Sequence, residues 1–171
     1  RYGGKIIGIC GGYQMLGTQV SDIQGVEDTA GVSAGLGLLD MTTDLEQHKQ
    51  LRQVQGTLSL TGGKIEGYEI HCGASAGKAL ERPVATLDDG RTDGAISGDN
   101  QILGTYLHGL FDHPDSSAAL LAWAGLKTTQ VVDQREIREM QLNRLAAALE
   151  EHLDCGLLFP EHFKLKEAVG E

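Results

Sequence analysis

Cysteine is scarce in this 171-residue chain: Cys10, Cys72 and Cys155 are the only three, an odd number with no C-x-x-C pair. That argues against a secreted disulfide framework and against zinc-ribbon spacing, and it fits free thiols in a reducing compartment. Positive charge is also short, with 14 Lys and Arg against 24 Asp and Glu, a formal net charge of −10, and no basic run to offset it locally. A nucleic-acid or anionic-membrane surface is not the expectation. No run of 18 apolar residues and no signal peptide can be read, so a cytoplasmic location is expected, without contact to a membrane. Repeats, low-complexity tracts and interdomain linkers are missing too. So is an initiator methionine: Arg1-Tyr2-Gly3-Gly4 opens directly onto a buried-looking strand, as a piece of a longer protein would.

What remains is an ordinary globular composition, 40% hydrophobic and 22% charged, long enough for one domain with a real core. Lys5-Ile6-Ile7-Gly8-Ile9 reads as a buried strand, and Gly12–Gln19 as a helix that starts just after Cys10. Residues 25–39 are glycine-rich and aperiodic, a loop pinned by Leu36, Leu38 and Leu39. Two hairpins are expected. One pairs Gln53–Leu60 with Lys64–His71 around Thr61-Gly62-Gly63, and the other pairs Gly94–Ser97 with Ile102–His108. Asp115–Leu126 and Gln134–Leu153 read as helices, the second with Ile137, Leu142, Leu145, Leu149 and Leu153 on one face. Together these predict an α/β domain: a mixed, mostly parallel sheet with flanking helices.

The sharpest local signal is Gly8-Ile9-Cys10-Gly11-Gly12 at a strand-to-helix junction. A turn this tight leaves little room for side chains at its flanks and thrusts the central residue out beyond the strand. The N–H of Gly11 would then stand ready to donate to an oxyanion formed when Cys10 attacks a carbonyl. A cysteine flanked by glycines can also be a small buried hydrophobe. A thiol nucleophile needs a base, usually histidine. Among His48, His71, His108, His113, His152 and His162, His108 ends a strand and is followed by the strand-breaking Gly109, and His71 ends another. The carboxyl ends of strands are where open α/β sheets keep their sites.

Gly8-Ile9-Cys10-Gly11-Gly12-Tyr13-Gln14-Met15-Leu16-Gly17 resembles the nucleophile segment of class I glutamine amidotransferases, in particular the branch acting in cobalamin biosynthesis. Further matches follow in order: Gly35-Leu36-Gly37-Leu38-Leu39, Gly67-Tyr68-Glu69-Ile70-His71-Cys72-Gly73 and Gly104-Thr105-Tyr106-Leu107-His108-Gly109-Leu110-Phe111-Asp112. The resemblance implies a flavodoxin-like fold and a catalytic pair, Cys10 and His108. It implies that Gln14 helps hold the glutamine substrate and that Glu69 and His71 lie near the pocket. Many class I amidotransferases carry His-x-Glu, whereas here the third residue is Leu110; the cobalamin branch shares this departure, and Asp112 becomes a candidate to orient His108.

As implied by the resemblance, residues 1–171 form an N-terminally truncated amidotransferase domain. The first strands, a loop giving a second oxyanion donor, and an ATP-dependent synthetase region would precede Arg1. No G-x-x-x-x-G-K-[ST] loop occurs here, so ATP, Mg and the corrinoid substrate are expected to bind that region, with no metal or cofactor in this chain. Two readings of other classes stay open: a Cys hydrolase acting on another amide, and a degenerate domain kept for assembly.

Overall fold

The structure, a computed structural model, describes residues 4–126 and 133–158, apart from the side chain of Cys155. Arg1–Gly3 and His162 fall outside the described residues. The chain divides into two compact units, one within residues 1–132 and one within residues 133–171. The first runs β1 (Ile6–Ile9), α1 (Gly11–Leu16), β2 (Gln19–Asp22), β3 (Gly31–Ala34), β4 (Thr42–Leu58) and β5 (Lys64–Ala76), then a 3-10 turn at Lys78–Glu81. It continues through β6 (Ala85–Leu87), β7 (Thr92–Asp93), β8 (Ala95–Ile96), β9 (Ile102–Thr105), β10 (Leu107–His108) and α2 (Pro114–Trp123). The second unit holds α3 (Gln134–His152) and α4 (Cys155–Leu158).

The strands fall into two sheets. One has the order β1-β9-β8; the other follows β10-β5-β4-β2-β3, with β6 beside β4 and β7 beside β6. The mixed α/β class is as expected, but the sheet is mostly antiparallel rather than mostly parallel. Only β1 with β9 and β2 with β4 run parallel, against six antiparallel pairings among the described residues. The cause is the connections. A parallel crossover needs a dozen residues or more, whereas β4 and β5 are joined by the short Ser59–Gly63 turn.

That hairpin also runs well past the expected Gln53–His71 segment, because β4 starts at Thr42 and β5 ends at Ala76, with a break in register between Leu45 and Gln50. Residues 25–39 are not all loop either, since β3 lies there and pairs antiparallel with β2. Leu39 is buried and Leu38 packs beside it, but Leu36 is 61% exposed and pins nothing.

Two apolar clusters fill the first unit. One gathers Leu58, Ile65, Val84, Leu103, Leu107, Leu110 and Leu120, and the other Tyr13, Leu16, Leu39, Met41, Ile102 and Tyr106. Adjacent positions of β9, Ile102 and Leu103, point into different clusters, as strand alternation requires. α2 begins at Pro114, whose missing N–H is no loss in a first turn, and His113 Nδ1 accepts the N–H of Asp115 as its cap. At its far end Trp123 donates Nε1–H to Asn100 Oδ1 at 3.3 Å, and Lys5 Nζ lies 4.8 Å from its ring centre. α3 is capped by Asp133, which accepts the N–H of Arg135. No residue of α3 is buried, so the expected core face of Leu142, Leu145, Leu149 and Leu153 is exposed. Among the described residues no helix is long and apolar enough to cross a membrane.

Candidate functional site

Cys10 stands where β1 ends and α1 begins, with φ 53° and ψ −114°. Positive φ costs a residue with a side chain energy and persists only where its surroundings hold it there. Two backbone bonds do so: Cys10 N–H donates to Thr105 O at 2.9 Å, and Cys10 O accepts from Gln14 N–H at 3.1 Å. Gly8 is required below the elbow, since a Cβ there would lie 2.6 Å from Leu16 Cδ1 and 2.8 Å from the carbonyl of Gly12. Gly11 and Gly12 are different, as a Cβ on either would meet open space. The crowding that the G-x-C-x-G pattern predicts therefore falls on the strand side of the turn alone. The thiol is half-buried and its Sγ lies 3.5 Å from the carbonyl oxygen of Ile70, in β5.

His108 reaches the same stretch of β5 from the neighbouring strand of its own sheet. In β10 it pairs antiparallel with Tyr68, two residues before Ile70, and the two rings stack with centroids 4.9 Å apart and planes 7° from parallel. The backbones come close because Gly67 has no side chain; a Cβ there would strike the carbonyl of His108. His108 Nε2 is buried and has no hydrogen-bond partner. Cys10 and His108 are thus brought to one segment of β5, without a hydrogen bond between them. Leu110, where other branches carry glutamate, is a core residue at 2% exposure. The carboxylate of Asp112 lies beside Gly109.

Residues alternate in direction along β5, so Glu69 and His71 face opposite to Tyr68 and Ile70. Glu69 is buried in a two-pronged ion pair with Arg91, at 3.1 and 2.9 Å, with Arg52 Nε 3.8 Å away. The hydrogen bonds that Arg91 donates to Glu69 raise its already high pKa. His71 Nδ1 lies 2.8 Å from Gly73 O, and its ring stacks on Tyr106 with centroids 3.8 Å apart. Burial lowers the pKa of His71 from its usual value, which keeps the ring neutral. Both residues line a cavity of about 360 Å³ together with Tyr13, Arg52, Arg91, Asp93 and Tyr106. Cys10 and His108 do not line it.

Gln14, one turn beyond Cys10, points inward. Its Nε2 and the Tyr106 hydroxyl both lie 2.5 Å from where a Cβ on Gly73 would sit, so that glycine makes room for them. The two side chains hydrogen-bond, and Tyr106 Oη continues to Ser75 Oγ at 2.8 Å and on to Thr43 Oγ1 at 2.8 Å. Tyr13 is buried edge-on to Tyr106, whereas Met15 is exposed.

Sequence reasoning passed over Arg91, Asp93, Thr105 and Tyr106. Asp93 is 6% exposed; Thr105 Oγ1 donates to its Oδ2, and Tyr106 N–H donates to Oδ1 at 3.2 Å. Loss of hydration pushes its carboxyl up to about 6, more than those two bonds hold it down, with Glu69 raising it and Arg91 lowering it. The one sequence signal was Arg91-Thr92-Asp93-Gly94 itself, two opposite charges just before the short apolar Ala95-Ile96.

A model of the CobB/CobQ-like glutamine amidotransferase domain matches residues 1–116, about two thirds of the chain, including both arms of this site. The chain belongs to the CobB/CobQ-like family and is a glutamine amidotransferase.

Proposed function

We propose that this chain is the glutaminase half of an ATP- and glutamine-dependent amide ligase, with Cys10 as nucleophile and His108 as its base. The observation that carries the reading is the backbone of Cys10, a non-glycine residue at φ 53° on the end of the parallel strand β1, which is not the buried strand expected, since Gly8 alone of its four residues is buried. Strain of this kind is kept where it holds a side chain out for chemistry. Cys10 Sγ adds to the carboxamide carbon of glutamine; the C–N bond breaks and ammonia leaves with a proton delivered by His108. Water then gives a proton to His108, attacks the γ-glutamyl thioester, and releases glutamate and the thiol. The N–H of Gly11 donates to the oxyanion of each tetrahedral intermediate.

His71 is a poorer base, because its Nδ1 is committed to Gly73 O and its burial favours the neutral ring. It serves the pocket instead, as do Glu69, through its arginines, and Gln14, through Tyr106. The acceptor we propose is a carboxylate of adenosylcobyrinic acid a,c-diamide, which makes the whole enzyme a cobyric acid synthase. The Leu110 position and the CobB/CobQ-like match support that branch. Residues 1–171 are then its amidotransferase domain, and the ATP, Mg and corrinoid sites belong to a synthetase region in preceding sequence.

Glutamate release by the full-length protein, with hydroxylamine added to trap the thioester as γ-glutamyl hydroxamate, tests the chemistry. Cys10→Ser should abolish glutamine-dependent amidation while ammonia-dependent amidation survives. If Cys72→Ser had that effect and Cys10→Ser did not, the assignment would fail. Supplying cobyrinic acid in place of its a,c-diamide tests the acceptor; preference for the former would make the enzyme an a,c-diamide synthase instead.

A further inference from the structure

We propose that Asp93 is a positioning residue for glutamine hydrolysis: its buried carboxylate clamps the turn between β9 and β10 and so fixes His108 relative to Cys10. The inference rests on the Cys10–His108 pair proposed above.

Thr105 is the last residue of β9, and its carbonyl holds the N–H of Cys10. Three residues later the chain has changed sheets and carries His108. Between them the ladder is interrupted, and one carboxylate takes its place. Oδ1 accepts the N–H of Tyr106 at 3.2 Å, and Oδ2 accepts the hydroxyl of Thr105. That hydroxyl oxygen in turn accepts the N–H of Leu107 at 3.0 Å. Thr105 and Leu107 are buried at 0% and 2% exposure, so no water competes for these groups. Asp93 is itself tied down, since its carbonyl accepts the N–H of Val84 at 2.9 Å and Ala85 pairs with it across β6 and β7. The next residue, Gly94, has φ +74° and no space for a side chain against Val84.

A buried carboxylate is an expensive way to satisfy two donors. Here it holds the turn in which only two residues, Tyr106 and Leu107, separate the backbone contact of the nucleophile from the histidine. A displacement of about 1 Å in a catalytic group can cost roughly a hundredfold in rate. A clamp at this turn therefore acts on kcat through His108.

The test is steady-state glutaminase kinetics of full-length Asp93→Ala, Thr105→Val and Asp93→Asn, with Cys10→Ser alongside and alkylation of Cys10 by iodoacetamide scored in each of the first three. Asp93→Ala and Thr105→Val should lower kcat about tenfold to a hundredfold, with KM for glutamine within about threefold and Cys10 still alkylated. Asp93→Asn keeps the shape and the bond from Tyr106 N–H, and its Nδ2–H can donate to the Thr105 hydroxyl oxygen in place of accepting from it, so it should return kcat to within about threefold of the unsubstituted protein. If Asp93→Ala does not fold, Thr105→Val decides alone. A kcat equal to that of the unsubstituted protein overturns the proposal, as does a loss confined to KM or to the folded fraction. Glutaminase activity surviving in Cys10→Ser would instead sink the reading beneath it.

Discussion

The two sheets of the first unit differ in nearly every respect, and each carries one half of the proposed catalytic pair. The small sheet is built on the parallel pair β1 and β9, four residues each, with glycine at Gly8 and Gly104 facing each other in register. The large sheet is dominated by the β4–β5 hairpin, 17 and 13 residues long, open to solvent along much of its length. Cys10 belongs to the first and His108 to the second. A nucleophile has to be held in a strained conformation, which a short, crowded pair can enforce. A histidine has to be delivered to it, which needs only a two-residue strand on the border of a larger sheet. The site is therefore as precise as the junction between the sheets, not as either sheet alone.

Removing the two side chains probes that division most severely. Under the proposed mechanism, Cys10→Ser should lower glutamine hydrolysis by about 10⁴-fold or more and His108→Ala by about 10²- to 10⁴-fold, measured as glutamate release. His71→Ala should cost less than His108→Ala; the reverse order would move the base to the other face of β5.

Crowding the backbone of each sheet comes next. Gly8→Ala would press a methyl group on Leu16 and the Gly12 carbonyl, and Gly67→Ala would press one on the His108 carbonyl. Each should cost about 1–3 kcal/mol or more in urea unfolding. Gly67→Ala should also reduce activity in the protein that remains folded, because the carbonyl it displaces belongs to the histidine. If Gly8→Ala and Gly67→Ala lowered stability equally and neither touched kcat, the two sheets would be scaffolding of one kind.

A gentler probe sits at the junction. The folded protein holds the Asp93 proton up to about pH 6, while an unfolded chain releases it near the ordinary 3.8. The contribution to stability is therefore full below about pH 4 and is lost as pH rises through 6. Its size is on the order of 2–3 kcal/mol. The difference in unfolding free energy between Asp93→Asn and the unsubstituted protein should shift in favour of the variant across that window, and a flat difference would contradict the assignment. The smallest effect is expected at Gly12→Ala. With open space for its methyl group and a helical backbone, it should stabilise the fold by about 0.5–1 kcal/mol.

Much of the proposed site could be read in the sequence because its signals are local. A cysteine between glycines at a strand end is recognisable within five residues, and so is a histidine followed by a helix- and strand-breaking glycine. Whatever depended on partners distant in sequence was not. Arg91 and Asp93 acquire meaning from Glu69 and Thr105, which no spacing rule connects to them. The mostly parallel expectation came from strands alternating with helices in the reading, but β2, β3, β6 and β7, of two to four residues each, are too short to give a periodic signal, and they join the mostly antiparallel sheet. α3 shows the limit of periodicity in another way. Its leucines repeat as a buried face would, and the repeat correctly marks a helix, yet nothing in a repeat says what covers it.

Trp123 gives the molecule an internal reporter. It is the only tryptophan, and its indole touches Asn100, in the turn leading into β9, and lies under Lys5, at the start of β1. Its emission therefore reports on the start of β1 and the turn into β9, and on the core cluster that the tryptophan packs against. Far-ultraviolet circular dichroism, weighted towards helices, reports on the secondary structure of the chain as a whole. Denaturation followed by both signals on one sample will show whether the strand beneath the nucleophile melts with the rest of the protein or ahead of it.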